Sequence, residues 1–360
     1  MLRKGPPIDL TALTTASTAA TTLLGVVVAL LVDFWWGRAS AASIGRAAIA
    51  TAIGWTAFLL AWAGAGRALD GALVLPLAAV SGLAAVLVST PAHIVGLSPH
   101  RTYGVVAAWS LLVYSPITLV AFTTVSGFFA TGYVPLDLAG ALPGLVAAGA
   151  SGAAFLLVTR DTDRAFPPGV DRRSRVRIVL LFAVLWALWL VWMLGLELAI
   201  TTASPRILLN GLLAPVAAAV AWLVVQRIRR AETTLTAALG GLYCGLVAIA
   251  PAGGYIDSTG AIVTGATAGA VCSLLGYHLA RTNGQASWLP TIQLLVGGTI
   301  GAVLVGVFAI RSGLVVTGQP ETILSQLASA GSAIGLSFVV SLVLWSIATR
   351  GGRRARVDTQ

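Results

Sequence analysis

A chain of 360 residues in which 9% are charged and 58% hydrophobic carries too little charge for a soluble domain, where the charged share is about 25%. Its 22 Lys and Arg against 12 Asp and Glu leave a net charge of +10. In so apolar a chain that excess reads as the flanks of membrane segments drawn to anionic headgroups, and nucleic acid drops out as a partner.

The apolar runs come in chain order at 10–33, 45–66, 73–96, 103–127, 138–158, 177–200, 207–228, 233–251, 259–281, 287–310 and 325–348. A bilayer core of roughly 30 Å needs about 20 apolar residues per helical crossing, and each run is near that length. The opening MLRKGPP is the charged start of a first membrane helix rather than of a cleaved leader, because no small-x-small site precedes Asp33. Turn formers and charges separate the runs, as at Gly37-Arg38, Pro99-His100-Arg101 and Arg281-Thr282-Asn283-Gly284.

The reading is an all-α integral membrane protein of eleven transmembrane helices, with its termini on opposite sides. Placing the N-terminus outside puts all but Arg3, Lys4, Arg67, Arg206 and Arg311 of the 22 basic residues inside, so the positive-inside rule gives N-out, C-in. The longest polar connection, 160–177, carries a Pro-Pro-Gly turn and divides five crossings from six. Two five-helix halves would then be inverted copies around a central path. The whole of 1–360 forms a single membrane domain: a first half over 1–159, a second over 178–310, an eleventh helix at 325–348 and a cytoplasmic tail at 350–360.

Ionisable groups inside a membrane are the first place to look for function. Asp33 falls at the inner end of helix one in an interfacial cluster with Phe34, Trp35 and Trp36. Asp257 lies in the outer loop between helices eight and nine, and Glu197 near the outer end of helix six. Asp137 starts helix five, where a carboxylate either caps the helix and meets its positive end or touches substrate; capping is the weightier role. His93 ends helix three, His100 follows in a loop, and His278 ends helix nine. Cys244 and Cys272 lack metal-ligand spacing and read as buried thiols. With no metal set, triad or carboxylate dyad, the chain is not read as an enzyme, and no cofactor is expected. Gly240, Gly241 and Gly245, and likewise Gly265 and Gly269, form small faces for close helix packing.

The stretch GLVAIAPAGGYIDSTGAIVTGATAGAVC (245–272) resembles helices eight and nine of the ammonium transporter (Amt/Mep/Rh) family. YSPI (114–117), LDLAG (136–140) and LLVGGTIGAVLVGVFA (294–309) resemble that family's fourth, fifth and tenth helices in the right order, and Asn210 and Trp222 fit its seventh. The resemblance implies ammonium gathered at an outer vestibule, a gate of phenylalanines, and a narrow apolar pore lined by two histidines. It also implies a homotrimer in the cell membrane with one pore per subunit. Carried over, Asp137 matches the carboxylate of helix five, Phe122 a vestibule tryptophan, Trp192 one gate phenylalanine and Leu196 a vestibule serine. The other gate position falls near Ala84. Leu145 and Leu294 stand where the two pore histidines belong.

Leucine neither bonds ammonia nor relays protons. A pore lined by Leu145 and Leu294 resists wetting, and a bare cation at mid-bilayer is penalised by about 3 kcal/mol on the lowest scales. The expected function is therefore ammonium/ammonia transport as passive, channel-like conduction of a small neutral solute. The alternative is a non-conducting regulatory or assembly relative that kept the scaffold. An unrelated inverted-repeat transporter would need coupling groups at midplane, and none is present. A PII-type signal protein, implied by the resemblance as an inner-face partner, finds only a short basic tail here.

Overall fold

The computed structural model describes residues 10–35, 41–66, 69–123, 135–159, 172–283 and 288–357. Eleven apolar helices follow one another: α1 (Leu10–Trp35), α2 (Ala41–Gly64), α3 (Gly71–Val95), α4 (Pro99–Phe122), α5 (Leu142–Thr159), α6 (Arg172–Gly195), α7 (Ser204–Ile228), α8 (Leu235–Ile249), α9 (Ser258–Asn283), α10 (Leu289–Phe308) and α11 (Glu321–Val357). Among the described residues, ten are long and apolar enough to cross a bilayer. The exception is α8, whose 15 residues reach only about 22 Å at 1.5 Å per residue. The chain continues beyond it as irregular backbone, which survives in a membrane only where protein supplies its hydrogen bonds. Asn210 of α7 does so, its Nδ2 donating to the Gly253 and Ile256 carbonyls at 3.0 and 2.8 Å.

Three boundaries differ from expectation. The sixth run stops at Gly195 instead of 200, and Leu198 adopts a left-handed φ of 60°. The Glu197 carboxylate accepts hydrogen bonds from the Thr201 and Ser204 hydroxyls there, so polar groups at the start of α7 outcompete the helix. At its other end α6 begins at Arg172, within the expected polar connection; residues 160–171 lie outside the described set, as does Trp36. The last helix overruns 348 and continues through Val357 because arginine is a good helix former: hydropathy marks the crossing, not the helix end.

Among the described residues, three π turns interrupt the helices, at Ser110–Tyr114, Leu142–Val146 and Gln293–Gly297. In α4 the cause is local. Pro116 has no N–H to give, and the widened turn lets both the N–H and the hydroxyl of Ser115 reach the Ser110 carbonyl.

Small residues set the packing. A Cβ on Gly265 or Gly269 of α9 would overlap the α7 main chain at Ala214 or Ala218, so only glycine permits this approach. α11 is pinned by side chains: the Ser337 hydroxyl donates to the Ala147 carbonyl at 2.6 Å and accepts from Trp109 Nε1 at 3.1 Å.

Candidate functional site

One end of the candidate path is built on the segment leading into α5. Gly140 turns the chain with φ 67°, a conformation that disfavours a side chain. The turn brings the Ala141 and Leu142 N–H groups to Asp137, whose Oδ1 and Oδ2 accept them at 2.8 Å each. Burial pushes the Asp137 carboxyl up to about 6, while these N–H groups pull it down. Both its oxygens are engaged in holding the start of α5. The Phe122 ring lies beside Gly140. From α11, the Gln326 amide clamps the same segment, accepting from Leu136 N at 3.0 Å and donating to the Leu136 and Ala302 carbonyls at 2.8 and 2.9 Å.

Trp192 in the last turn of α6 and Leu196, just past its end at Gly195, are both buried. Trp192 meets Trp189 edge to face at 4.9 Å, and Trp189 meets Tyr243 of α8 at 6.0 Å. Ala84, fully buried in α3, offers no ring opposite them. Leu145 and Leu294 each occupy a π turn, and the two turns pack against one another. Leu145 is wholly buried; Leu294 borders a cavity of about 190 Å³ lined by α1, α3, α5, α6, α8 and α10.

The cavity wall is apolar, with Leu31, Phe182 and Leu239 among its residues, and carries no charged side chain. Its polar groups include Thr90, Tyr243 and Gln293, the last donating Nε2 to the Gly240 carbonyl at 2.8 Å. Of the residues singled out in the sequence, only Leu294 and Gly240 line it. Tyr243, Gln293 and the neighbouring Trp189 were missed. A signal existed: Gln293 is a polar residue adjoining Leu294 in an apolar run, and Trp189 is one helical turn from Trp192.

The remaining candidates separate into caps and one surprise. Asp257 accepts from Gly260 N at 2.7 Å and caps α9. His100 and His278 are exposed, and His100 belongs to the first turn of α4 rather than to a loop. Cys244 and Cys272 are buried free thiols, and no metal-binding group occurs among the described residues. Asp33 is the surprise. Instead of facing the interface it is 3% exposed and ion-paired with Arg46, because α2 folds back against α1 and brings the guanidinium to it.

The Ammonium Transporter Family profile matches residues 9–357. The chain belongs to that family. Its relatives in the Ammonium Transporter Family include a putative ammonium transporter of Methanothermobacter thermautotrophicus, 28% identical over 66% of this chain and 58% of the relative. An ammonium transporter of Aquifex aeolicus is 30% identical over 66% of this chain and 56% of the relative. The chain thus spans just over half the length of the curated relatives it matches. The crystal structure of Saccharomyces cerevisiae Mep2 superposes with a TM-score of 0.78 at 20% identity, covering 93% of this chain and 84% of that one. Candida albicans Mep2 gives 0.77 at 19%, covering 94% and 85%. The fold is shared, and this member of the family is a multi-pass membrane protein with all-helical architecture.

Proposed function

We propose that the chain carries ammonium nitrogen across the membrane as neutral ammonia, through an apolar path in each subunit of a homotrimer, in N-out, C-in orientation. The observation that carries this reading is the uncharged cavity ending on Leu294, with the sealed Leu145 beyond it. A wall of this kind admits a small neutral molecule and penalises a cation by about 3 kcal/mol or more. Family membership supports the substrate. The outer candidates Phe122, Asp137, Trp192 and Leu196 would form the approach, with Asp137 acting mainly as the cap that fixes it. The two five-helix halves of the single membrane domain would enclose the path between them.

Above the cavity the side chains are closed, Trp192 and Leu145 being fully buried. Conduction therefore requires these two to move aside, and their closure is the observation that favours the alternative, a non-conducting relative. A decisive experiment follows internal pH and current in proteoliposomes after an ammonium pulse. Alkalinisation without current supports neutral conduction. Current overturns the argument from the leucines, and silence from intact trimers supports the non-conducting scaffold. The Leu145→His, Leu294→His double variant, run alongside, is expected to add current if the missing imidazoles are what exclude the proton.

A further inference from the structure

The cavity bordered by Leu294 is far roomier than ammonia needs. Water, ammonia's near equal in size, takes about 30 Å³ per molecule in the liquid. The cavity offers about 190 Å³, and an apolar void of about 150 Å³ already accepts benzene. Its wall suits a ring: Leu31, Ile178, Phe182 and Leu239 supply aliphatic and aromatic surface, and no lining side chain is charged. The lining also places the cavity. Leu31 and Ile94 lie near the ends of α1 and α3, whereas Thr236 and Leu289 lie at the starts of α8 and α10. This is the end of the bundle that the arginine count assigns to the cytoplasm.

The few polar groups on the wall are unequally occupied. The Thr90 hydroxyl donates to the Val86 carbonyl at 2.8 Å, and the Thr236 hydroxyl lies 2.7 Å from that of Thr234. Gln293 gives Nε2 to the Gly240 carbonyl at 2.8 Å. A carbonyl only accepts, so the amide cannot be turned round, and its Oε1 is left as an acceptor with no partner among the described residues. The Tyr243 hydroxyl likewise has no partner among them. Both residues line the cavity, from the adjacent helices α8 and α10. An apolar enclosure with a few convergent polar groups is the usual make-up of a small-molecule site. Water can meet the two free groups, but it gains nothing from the apolar remainder, which a ring fills.

We propose that this cavity binds a neutral single-ring alcohol or phenol and that the bound molecule plugs the path. The ligand hydroxyl donates to Gln293 Oε1 and accepts from Tyr243, and the ring packs against Phe182 and Leu239. The head group must be donor and acceptor at once and yet carry no charge. An alkylamine is a cation at pH 7 and a carboxylate an anion, and the wall offers neither a counter-ion. Ammonia passes the same wall but is too small to fill it. Because Leu145 is sealed beyond Leu294, a ring has no onward route and stays. The inference rests on the transport reading for the plugging alone; the binding does not depend on it.

The full chain in lipid nanodiscs is mixed with 4-fluorobenzyl alcohol, 4-fluorotoluene or 4-fluorobenzylamine, which share one ring and differ in the head group. Broadening of the fluorine NMR line beyond that in empty nanodiscs reads binding, and displacement by non-fluorinated benzyl alcohol shows whether it saturates. The alcohol is expected to bind saturably and about fivefold more tightly than the toluene, the worth of one hydrogen bond. The amine is expected to show no saturable binding. Tyr243→Phe and Gln293→Leu each remove the advantage of the alcohol, and Leu239→Trp, which fills the cavity, abolishes binding. The comparison of three compounds on the parent protein needs no variant to fold. Broadening that never saturates, as when a lipid tail or water holds the cavity, overturns the site. Equal binding of alcohol and toluene overturns the pairing with Tyr243 and Gln293. In proteoliposomes, corrected for protein-free vesicles, benzyl alcohol at about nine times its dissociation constant is expected to cut ammonia entry about tenfold. Unaltered flux at that occupancy overturns the plug. Flux without binding overturns the site and leaves the transport reading standing, whereas binding without flux supports the site and overturns conduction.

Discussion

Two facing π turns each hold a leucine, yet their surroundings differ. Leu142–Val146 opens on the doubly bonded Asp137 and places Leu145 in a sealed core. Gln293–Gly297 instead lies along the cavity, with Leu294 at its wall and Gln293 tied to a single carbonyl of α8. The first turn is anchored framework; the second lines the cavity. Identical side chains at matching places therefore need not perform matching tasks, because the polar groups that pin the backbone decide which one can yield.

Substitutions can break that distinction, and the largest effect is expected at the anchor. Asp137→Ala strands two buried N–H groups at about 1–3 kcal/mol each, so loss of folded protein on size exclusion is expected, while Asp137→Asn, keeping one acceptor, lowers thermal stability without abolishing folding. Next comes the leucine pair itself. Buried Leu→Ala changes fall in a range of about 2–5 kcal/mol, and Leu145→Ala belongs near the top and Leu294→Ala near the bottom, since the latter only enlarges an existing cavity. Leu145→Ala is also expected to give the greater gain in ammonia flux, since it trims the side chain that closes the path; equal thermal shifts for the two variants would refute the contrast. Gln326→Leu unties the segment before Asp137 and orphans the Leu136 backbone, with an expected loss of about 1–3 kcal/mol in thermal unfolding. The smallest change is Gln293→Leu, about 1 kcal/mol, which sharpens the comparison by showing in flux assays whether the cavity needs its amide at all.

Hydropathy alone exposed the helices because each bilayer crossing requires a long apolar run, and the small faces at Gly265 and Gly269 were legible for the same reason of close approach. The cap at Asp137 was legible too, since a carboxylate just before an apolar run has few other uses. Less visible were the π turns, which widen a single turn and leave no periodic trace. The pairing of Asp33 with Arg46 and its approach to His93 escaped notice because each residue alone sits at a helix end, where charges are ordinary. Only the folding of α2 and α3 against α1 turns three unremarkable flanks into one buried cluster. Tyr243 and Gln293 escaped for a related reason: nothing in one strip of sequence tells which side of a helix faces an internal void.

The last helix reaches Trp109 of α4, Ala147 of α5 and Ala302 of α10 through the buried side chains Ser337 and Gln326. It works like a hoop around staves drawn from early and late parts of the chain. Machines that expose a site first to one side and then to the other must let such staves slide, breaking every fastening in each cycle. A hooped vessel instead behaves as a sieve: its throughput should rise in proportion to the gradient, and loading the far side with unlabelled solute should not accelerate entry of labelled solute.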